Sequence, residues 1–462
     1  MFMDIKQDNY KVQVIFNKGY VGIVGPISDK EFKAFSRLIQ RGDIICEFDL
    51  LNNVSRLTEF TAVTGLPSRT SKGNLSIRAT DTPTILSPTL VKLPTELEDR
   101  ETRIRNRHVD LLVNRKVVDT LKARSHIIRY VRDYLLKDDF LEVQTPIIAD
   151  KAGGAIAKPF TTIATEFSDK QLALRIAPEL WLKRMILGGI DRVFEIGPAF
   201  RNEGLDATHN PEFTTCEFYK SYANLEDLIL MTEELVSGLA EHVSSLRQSI
   251  LIGLPEIDAA LFKAPFKRIE FIPAIEAALG ESLPDLQAED AEAQLLSLFE
   301  KHSLSPPASP TLPRLLDRLA SIYIEPHCNS PTFIIHHPAC MAPLSKSFVV
   351  KYPSSTQLVS ARAELFIHHK EVANMYEEEN SPFEQRRKFI EQFRWKDAEN
   401  GAHLDESYLR ALEYGLPPTG GWGCGIDRLC MLLSGATRIS DVLSFGSLRN
   451  VVGLGREGER DQ

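Results

Sequence analysis

Residues 192–219 read RVFEIGPAFRNEGLDATHNPEFTTCEFY. The alternating apolar residues at the start predict a strand that breaks at Gly197-Pro198, and a second apolar run over 213–219 predicts a strand that returns. The turn between the two runs is polar and carries Arg201, Glu203 and His209. The stretch therefore predicts two antiparallel strands joined by a charged loop.

This loop has more charge and hydrogen-bonding capacity than a hairpin needs. The planar guanidinium of Arg201 suits a phosphate group. Glu203 can accept a hydrogen bond from an amine, and the ring of Phe213 can stack on a base. A solvated turn is the simpler alternative, and the stretch by itself leaves both interpretations open.

The segments FRNEG (200–204), THNPEF (208–213) and EFY (217–219) resemble motif 2 of the class II aminoacyl-tRNA synthetases, in the form found in lysyl-tRNA synthetases. The resemblance extends, with gaps, from about residue 97 to residue 453 and includes three long motifs in the family's order. It implies an α+β fold, in which helices flank an antiparallel sheet and a partial β-barrel of the oligonucleotide-binding (OB) type precedes it.

Composition is that of an ordinary soluble globular chain. The 462 residues predict two or three domains, with 43% hydrophobic and 25% charged residues and no apolar run as long as a membrane span. The six cysteines form no CxxC pair, which predicts a reducing compartment and no zinc site.

The net charge of −9 argues against a non-specific nucleic-acid binder. Residues 100–129 are a locally basic stretch, for which a nucleic-acid face and a solvated helix face are both open interpretations. The cations of this stretch include Arg103, Arg105, Arg107, Arg115, Lys116, Lys122 and Arg124.

Residues 1–93 predict an OB-type domain with strands at 11–16, 43–48, 60–64 and 74–78 and a helix at 29–41. In the family, a barrel at this position reads the anticodon. Compared with the family, the chain begins at about the third strand and carries an extra segment at 50–63. We therefore expect a partial barrel with uncertain anticodon recognition, and a truncated N-terminus is one hypothesis for it.

Residues 94–114 are predicted to be a linker, and residues 115–462 the catalytic domain. Apolar residues at three-to-four spacing predict a helix over 115–136, followed by a strand at 140–145 that stops at Pro146. Helix, strand and proline resemble motif 1, which implies a homodimer. An unrelated helix–strand unit would have the same pattern.

Gly153-Gly154 permits a close backbone approach to a ligand, or marks a turn. Pro178 and Glu179 predict the start of a helix that ends at Gly188-Gly189. Glu179 therefore has a capping role as its simpler interpretation. The resemblance implies that it binds the α-amino group of the substrate.

Asn224 is predicted to cap a core helix. Residues 251–330 are predicted to be an inserted, variable region to which we assign no chemistry, with a Pro/Ser-rich surface loop at 303–313. For His336-His337 we favour a structural role over a metal site, because no further ligand has suitable spacing.

Two strand-like runs, 363–367 and 371–376, carry Glu364 and Glu371. In a hairpin the two carboxylates can approach each other, and they then need a cation between them to ionise together. Magnesium suits such oxygens when phosphate lies alongside. The resemblance makes these two residues the magnesium ligands, and solvated strand charges are the alternative.

Residues 414–428, YGLPPTGGWGCGIDR, resemble motif 3, a glycine-rich loop followed by a helix. The resemblance implies that Arg428 stacks on adenine opposite Phe213. Ser444-Phe445-Gly446 resembles the organellar branch of the family, which favours the mitochondrial matrix. The lack of a presequence favours the cytoplasm instead.

The resemblance as a whole implies a lysine–tRNA ligase that uses ATP and Mg²⁺, acts on L-lysine and tRNA(Lys), forms a homodimer and does not enter a membrane. Arg201 and Arg428 are the expected catalytic residues. The expected ATP-binding residues are Arg201, Glu203, His209, Asn210, Phe213, Glu364, Glu371 and Arg428. The expected lysine-binding residues are Gly154, Glu179, Arg201, Glu217, Tyr219, Asn374 and Glu378.

Three alternatives remain at this stage. An aspartyl- or asparaginyl-type synthetase has the same scaffold, but its pocket needs a cation where this chain has Glu217 and Glu378. A paralogue that lysylates a protein would fit the incomplete barrel. A catalytically dead regulatory homologue is opposed by the presence of Arg201, Glu371 and Arg428.

Overall fold

The computed structural model describes residues 2–7, 10–17, 30, 44–46, 65–70, 73–80, 84–87, 93–154, 157–353, 355–393 and 405–453. The chain divides into two compact units, Met1–Val118 and Asp119–Gln462. Over the described residues, none of the helices combines the length and the apolar character that crossing a bilayer requires.

The first unit contains a four-stranded sheet of order β1-β2-β5-β4 and a separate antiparallel pair, β3 and β6. Its strands are β1 (Phe2–Gln7), β2 (Tyr10–Ile15), β3 (Ile44–Cys46), β4 (Gly65–Arg69), β5 (Leu75–Ala79) and β6 (Thr84–Ser87). Two short helices follow, α1 (Arg100–Arg105) and α2 (Arg107–Val113).

Three of the predicted N-terminal strands correspond to β2, β3 and β5. The predicted strand at 60–64, the extra segment at 50–63 and the predicted helix at 29–41, except Lys30, lie outside the described residues. β1 pairs antiparallel with β2, whereas β2 pairs parallel with β5. Closure of these strands into a partial OB barrel stays a prediction, as do the domain boundaries.

The second unit is built on an eight-stranded sheet of order β13-β14-β17-β18-β19-β12-β11-β7, in which the six strands from β14 to β11 are antiparallel. The strands of the sheet are β7 (Leu141–Glu142), β11 (Arg192–Phe200), β12 (Glu212–Ser221), β13 (Lys267–Glu270), β14 (Thr332–Ile335), β17 (Arg362–Ile367), β18 (Lys370–Glu377) and β19 (Thr419–Gly425). Smaller sheets contain β8 (Ile148–Ala149), β9 (Thr161–Thr162), β10 (Leu172–Leu174), β15 (Ser347–Lys351) and β16 (Thr356–Ser360).

Helices accompany this sheet along its length. They are α3 (Arg115–Lys137), α4 (Glu179–Leu187), α5 (Leu225–Arg247), α6 (Phe271–Leu279), α7 (Ala291–Lys301), α8 (Leu312–Tyr323), α9 (Pro382–Phe393), α10 (Glu406–Leu412), α11 (Ile426–Ser434), α12 (Ile439–Val442) and α13 (Leu448–Gly453). The predicted α+β architecture, an antiparallel sheet flanked by helices, is confirmed.

Local sequence explains where the main helices form. In α3, Ile127, Val131 and Leu135 recur every four residues, and all three side chains are fully buried in the main core. α5 begins at the predicted cap: Asn224 accepts a hydrogen bond from the Asp227 amide, and the Asp227 carboxylate accepts one from the Asn224 amide. This reciprocal capping satisfies two amides that the first turn leaves unpaired.

The hairpin of β11 and β12 is confirmed, but the predicted break at Gly197-Pro198 is wrong. β11 continues to Phe200, and Pro198 pairs with Thr214 across the hairpin. β7 pairs with β11 only at Val193 and Phe194. Beyond these residues the outer side of β11 has no neighbouring strand among the described residues, which is where a strand tolerates proline.

Two further expectations differ in extent. The strand predicted at 140–145 is only the two-residue β7. The glycine-rich segment is not a loop, because residues 419–425 form β19 at the centre of the sheet, between β18 and β12. Residues 251–330, which we could not interpret from the sequence, fold into β13, α6, α7 and α8 around their own apolar core.

Candidate functional site

A cleft of about 1020 Å³ opens on the large sheet of the second unit. Its floor is formed by β12, β18 and β19, and the loop between β11 and β12 forms one side. The predicted site residues that line the cleft are Gly154, Glu179, Arg201, Glu203, His209, Asn210, Phe213, Glu217, Tyr219, Glu364, Glu371, Asn374 and Arg428. Glu378 is fully buried behind the wall rather than in the lining.

The two predicted catalytic arginines, Arg201 and Arg428, lie close to an aromatic and a histidine side chain. The Arg201 guanidinium carbon is 5.1 Å from the centre of the Phe213 ring. Arg428 Nη1 donates to the carbonyl of Glu371 at 3.0 Å, and its Nη2 lies 2.8 Å from His209 Nε2. The cation over Phe213 is therefore Arg201, and Arg428 faces the turn that carries His209.

Asp427 fixes the start of α11 on the neighbouring strand. Its Oδ2 accepts from the Thr214 amide at 2.8 Å, and its Oδ1 is paired with Arg124 of α3. Because Asp427 precedes Arg428, these contacts hold the arginine against the motif 2 hairpin. Arg124 is thus an internal partner and not part of a basic surface.

Other cations of the basic stretch 100–129 are also paired within the first unit. Arg103 and Arg107 both contact Asp110, at 2.9 Å and 3.0 Å, and Arg105 contacts Glu101 at 2.5 Å. Arg124 and Arg129 have acidic partners too, Asp427 and Asp133, which favours the interpretation as a solvated, internally paired helix face.

One end of the cleft collects acidic groups. β17 and β18 form the predicted hairpin, which brings Glu364 and Glu371 to the same lining. Burial alone would raise the pKa of Glu364, but Arg362 and His337 hold that pKa below its ordinary value. Burial, and then the charge of Glu364, raise the pKa of Glu371.

The region with no assigned chemistry contributes to the same end. Arg314 and Asp317 of α8 line the cleft together with Glu325. Burial and then Glu364 raise the pKa of Asp317. Burial and then Asp317 raise the pKa of Glu325 to about 7. These shifts show that the acids lie close enough to oppose each other's ionisation.

These carboxylates suit a hard cation whose remaining oxygen ligands come from a bound substrate. Within the described part of the chain, no group of three or more His, Cys, Asp and Glu residues has the geometry of a complete metal cage. Magnesium does not need such a cage, since it is usually held by one or two carboxylates together with substrate phosphates. The observation in favour is that two carboxylates, those of Glu364 and Glu371, line the same end of the cleft.

His337 lies in the lining of the cleft beside Glu364, and its structural role stays a prediction. Its ring is buried, and Nε2 lies 3.0 Å from Glu364 Oε2. His336 lies 3.7 Å from Glu270 and stacks edge-on against Phe348, with a positive φ of 57°. The two histidines therefore contact different groups.

The other end of the cleft is a buried acidic pocket. Glu179, at the start of α4, accepts from the Tyr376 hydroxyl at 2.9 Å and from Lys183 Nζ at 2.7 Å. Burial and then Glu179 raise the pKa of Glu217 to about 8. Acidic groups this close together favour a cationic ligand, because an ammonium group would stabilise their charged forms.

Glu378 lies directly behind this pocket. Its Oε2 contacts Lys183, and its Oε1 has no hydrogen-bond partner among the described residues. A Cβ on Gly421 would lie 1.9 Å from that Oε1 and 2.6 Å from the Tyr219 ring. Only glycine therefore lets β19 pass so close to Glu378.

A second buried ion pair lies against β11. Arg175 Nη1 lies 2.5 Å from Glu195 Oε1, and both side chains are buried. Arg175 Nε also donates to the Pro198 carbonyl at 2.7 Å, and a Cβ on Gly197 would lie 2.6 Å from its Nη2. Gly197 therefore permits the arginine to lie flat on β11.

Sequence reasoning missed several residues of the cleft and its walls. Lys183 had a usable signal, since it lies four residues after Glu179 and so shares its helix face. Arg362 lies two residues before Glu364 on one strand, so the sequence also predicts that their side chains share a face of the sheet. Arg314, Asp317 and Glu325 had no local signal, because only the packing of α8 brings them to the site.

The arrangement is suited to two ligand groups at once. One end offers guanidinium groups and acids for a metal-bound polyphosphate, and the other offers acids for an ammonium group. Arg201 lies in the same lining as both. Such a cleft can align a carboxylate with a phosphate without any protein nucleophile.

Comparison with known proteins agrees with this geometry. A family model described as tRNA synthetases class II (D, K and N) matches residues 99–449. A mitochondrial lysine–tRNA ligase of Schizosaccharomyces pombe is 40% identical over 456 residues, which are 97% of this chain and 81% of the relative.

Two further relatives are similarly close. A protein of Encephalitozoon cuniculi named "Probable lysine–tRNA ligase, cytoplasmic" is 42% identical over 428 residues, with 90% of this chain and 79% of the relative covered. A lysine–tRNA ligase of Enterococcus faecalis is 39% identical over 399 residues, with 85% and 77% covered. The chain therefore belongs to the class II tRNA synthetases of the D, K and N group, within the family of the lysine–tRNA ligases.

Proposed function

We propose that the chain is a lysine–tRNA ligase that activates L-lysine with ATP and transfers the lysyl group to tRNA(Lys). One observation carries the choice of amino acid: three carboxylates, Glu179, Glu217 and Glu378, face or adjoin one end of the cleft, and the one internal ammonium that contacts Glu179 and Glu378 is that of Lys183. Burying unpaired charge is costly, so a substrate that brings further ammonium groups is favoured.

In the first step, a carboxylate oxygen of lysine attacks the α-phosphorus of ATP in line. The new carboxyl–phosphorus bond forms as the bond to the bridging oxygen of the β-phosphate breaks, which yields lysyl-adenylate and pyrophosphate. Arg201 bridges the two negative partners, and its fixed guanidinium neutralises charge that develops during the step. Glu203 and Phe213 hold the adenine together with Arg428.

Glu364 and Glu371 would hold Mg²⁺, which when bound neutralises charge on the phosphates of ATP. His209, Asn210 and Arg428 belong to the same nucleotide end of the cleft. His209 is oriented by Asp206, whose Oδ2 lies 2.8 Å from His209 Nδ1. This contact keeps Nε2 directed towards Arg428, so the guanidinium of Arg428 is held in place.

Glu179 and the backbone at Gly154 bind the α-ammonium group of lysine, and Glu217, Tyr219, Asn374 and Glu378 bind its side chain. In the second step, the 3′-terminal adenosine hydroxyl of tRNA attacks the carbonyl carbon of lysyl-adenylate and AMP leaves. An aspartyl or asparaginyl substrate is disfavoured, because its side chain carries no cation for these acids.

The test is ATP–pyrophosphate exchange by the full chain with each of the twenty amino acids in turn. We expect exchange with lysine and at least a hundredfold less with aspartate and asparagine. Exchange with no amino acid would support the catalytically dead homologue. Lysine-dependent exchange without charging of tRNA(Lys) would support the paralogue that lysylates a protein.

We also propose the mitochondrial matrix as the compartment. The support is one relative named as mitochondrial and the sequence Ser444-Phe445-Gly446, and a relative named as cytoplasmic supports the alternative. Imaging of a C-terminal fluorescent fusion should give overlap with a mitochondrial marker. A diffuse cytoplasmic signal would contradict the proposal.

A further inference from the structure

Lys183 is a fully buried lysine that the proposed chemistry does not use. It lies on α4, one turn after Glu179, and its side chain is 0% exposed. Its Nζ is 2.7 Å from Glu179 Oε1 and also contacts Glu378 Oε2. One ammonium group thus connects an acid on a helix with an acid just beyond the end of β18.

The surroundings keep this ammonium charged and in place. Burial opposes its charge, but Glu179 and then Glu378 raise the pKa of Lys183 above its usual range. Its Nζ lies 5.8 Å from the centre of the Tyr376 ring, 5.9 Å from that of Tyr219 and 6.0 Å from that of Tyr408. Aromatic faces at this distance attract a cation.

The bridge leaves one oxygen of each acid directed elsewhere. Glu179 Oε1 is occupied by Lys183 and by the Tyr376 hydroxyl, whereas its Oε2 lies next to Gly154, where a Cβ would be 3.5 Å away. Glu378 Oε2 is occupied by Lys183, whereas Oε1 has no hydrogen-bond partner among the described residues. The remaining oxygen of Glu179 therefore lies beside Gly154, and that of Glu378 lies beside Gly421.

We propose that Lys183 is a specificity-determining residue that fixes the distance between the two ammonium subsites of the amino-acid pocket. The inference rests on the proposed function, in which Glu179 binds the α-ammonium and Glu378 the side-chain ammonium of lysine. Because both carboxylates are tied to one ammonium, they cannot move closer to reach a shorter diamino acid. Lysine spans the pair, and ornithine, with one methylene fewer, does not.

Charge balance supports the same role. Glu179 and Glu378 share one ammonium group, that of Lys183, so this pair of acids has fewer cations than carboxylates. Without Lys183, no cation fixes the distance between Glu179 and Glu378, so the two acids can adjust to diamino acids of different length. The pocket then loses both its length preference and part of its affinity for lysine.

The test compares lysine and ornithine in ATP–pyrophosphate exchange by the full chain, with ornithine kinetics measured at saturating ATP. Discrimination of a single methylene is typically about 10- to 200-fold in kcat/KM. We expect Lys183→Met to lower the lysine-to-ornithine ratio at least tenfold and to raise the KM for lysine, with the KM for ATP within about twofold of wild type.

Lys388→Met is the matched control. Lys388 is also a buried lysine, 5% exposed, and its Nζ lies 2.6 Å from Glu379, the neighbour of Glu378. Loss of this ion pair destabilises the same region but leaves the two ammonium subsites tied. We expect the control to keep the wild-type ratio, and an equal loss of ratio in both variants would overturn the inference in favour of a merely structural effect.

A second variant covers the case in which Lys183→Met does not fold, as judged by circular dichroism. Lys183→Arg keeps a cation but changes the length and shape of the bridge, so its ratio should also fall. A lysine-to-ornithine ratio within twofold of wild type, in whichever variant folds, would overturn this inference and leave the proposed function intact. Absence of lysine-dependent exchange in the wild-type chain would overturn the proposed function, and this inference with it.

Discussion

Arg201 is the residue on which the proposed activation step depends most. Its guanidinium lies over the Phe213 ring, and its Nε is buried without a hydrogen-bond partner among the described residues. β11 ends at Phe200, so Arg201 is the first residue of the loop above the cleft. A cation fixed at this place can contact a substrate that enters from either end.

We predict that Arg201→Ala lowers the kcat of lysine-dependent ATP–pyrophosphate exchange by about 10²- to 10³-fold, the range found when one preorganised donor is removed from a site of charge development. Arg268→Ala is the control, because Arg268 forms only an exposed pair with Glu226 in the same unit. Exchange by Arg201→Ala at the rate of that control would refute the assigned role.

Glu217 gives a prediction about pH. Burial and then Glu179 raise the pKa of Glu217 to about 8, so its carboxyl group is largely protonated at pH 7 in the free protein. A lysine ammonium binds the ionised form better. The KM for lysine should therefore fall as pH rises from about 6.5 to 8.5. The side-chain ammonium of lysine, with an ordinary pKa of about 10.4, stays charged over this range.

Measurement of the KM for lysine and for ATP across this pH range checks the assignment. Glu217→Gln should flatten the lysine profile, because the titrating group is gone. A wild-type KM for lysine that is constant over the range, or a profile that persists in Glu217→Gln, would show that Glu217 does not face the substrate cation.

At the scale of elements, β19 is a strand in which the absence of side chains makes room for its neighbours. Its glycines let β18 and β12 carry bulky acids and tyrosines on either side, and a Cβ at Gly421 would meet Glu378 and Tyr219 at once. The strand is held by Trp422, whose Nε1 donates to the Thr232 hydroxyl of α5 at 2.9 Å. Glycine content here reflects side-chain crowding rather than a turn.

We predict that Gly421→Ala raises the KM for lysine at least tenfold with a smaller effect on the KM for ATP, because the new methyl group displaces Glu378 and the Tyr219 ring. Gly423→Ala, two residues along the same strand, is the control, since its Cβ would make only an ordinary contact at 3.5 Å with Glu217. The two variants should therefore differ in steady-state kinetics. Equal values of the lysine KM would contradict this account of β19.

The same elements show what sequence can predict. Periodicity located α3, and cap chemistry located the start of α5, because both signals are local. The break expected at Gly197-Pro198 and the loop expected at 419–425 were wrong for one reason. Proline and glycine disfavour strands on average. However, proline is tolerated where the strand has no neighbour, and glycine is required where neighbouring side chains leave no room for a Cβ. Neither circumstance is visible before the sheet is assembled.

The candidate site divides in the same way. Residues inside long motifs, such as Arg201, Glu371 and Arg428, were found from the resemblance, and the structure places all three in one cleft. Arg314, Asp317 and Glu325 were missed because their position depends on how a separate apolar core packs against the sheet. Lys183 was missed because an internal ion pair has no motif of its own.

At the scale of the whole molecule, the large sheet ends in a short edge strand with apolar surroundings. β7 is the outermost strand beside β11, and Leu141 on it is 49% exposed. Leu136 at the end of α3 and Ile148 on β8 are 46% and 52% exposed. Exposed apolar side chains beside an unpaired edge are typical of an association surface, and Leu136 and Leu141 belong to the segment that resembles motif 1.

We therefore propose a homodimer formed through this surface. Light scattering of the purified chain should give about twice the monomer mass of 51.9 kDa. Leu141→Asp combined with Ile148→Asp should shift the mass towards the monomer, whereas Val349→Asp, at a residue 62% exposed on β15, should not. A wild-type mass of one chain at micromolar concentration would contradict the proposal.

The central claim is that one cleft of the second unit holds ATP at one end and lysine at the other, with Arg201 between them. The most direct measurement is a crystal structure with a non-hydrolysable lysyl-adenylate analogue. We predict that its phosphate mimic contacts Arg201, its adenine lies between Phe213 and Arg428, and its side-chain ammonium lies within 3.5 Å of Glu217 or Glu378. An analogue bound with its side-chain ammonium away from both acids, or bound elsewhere on the chain, would contradict the account.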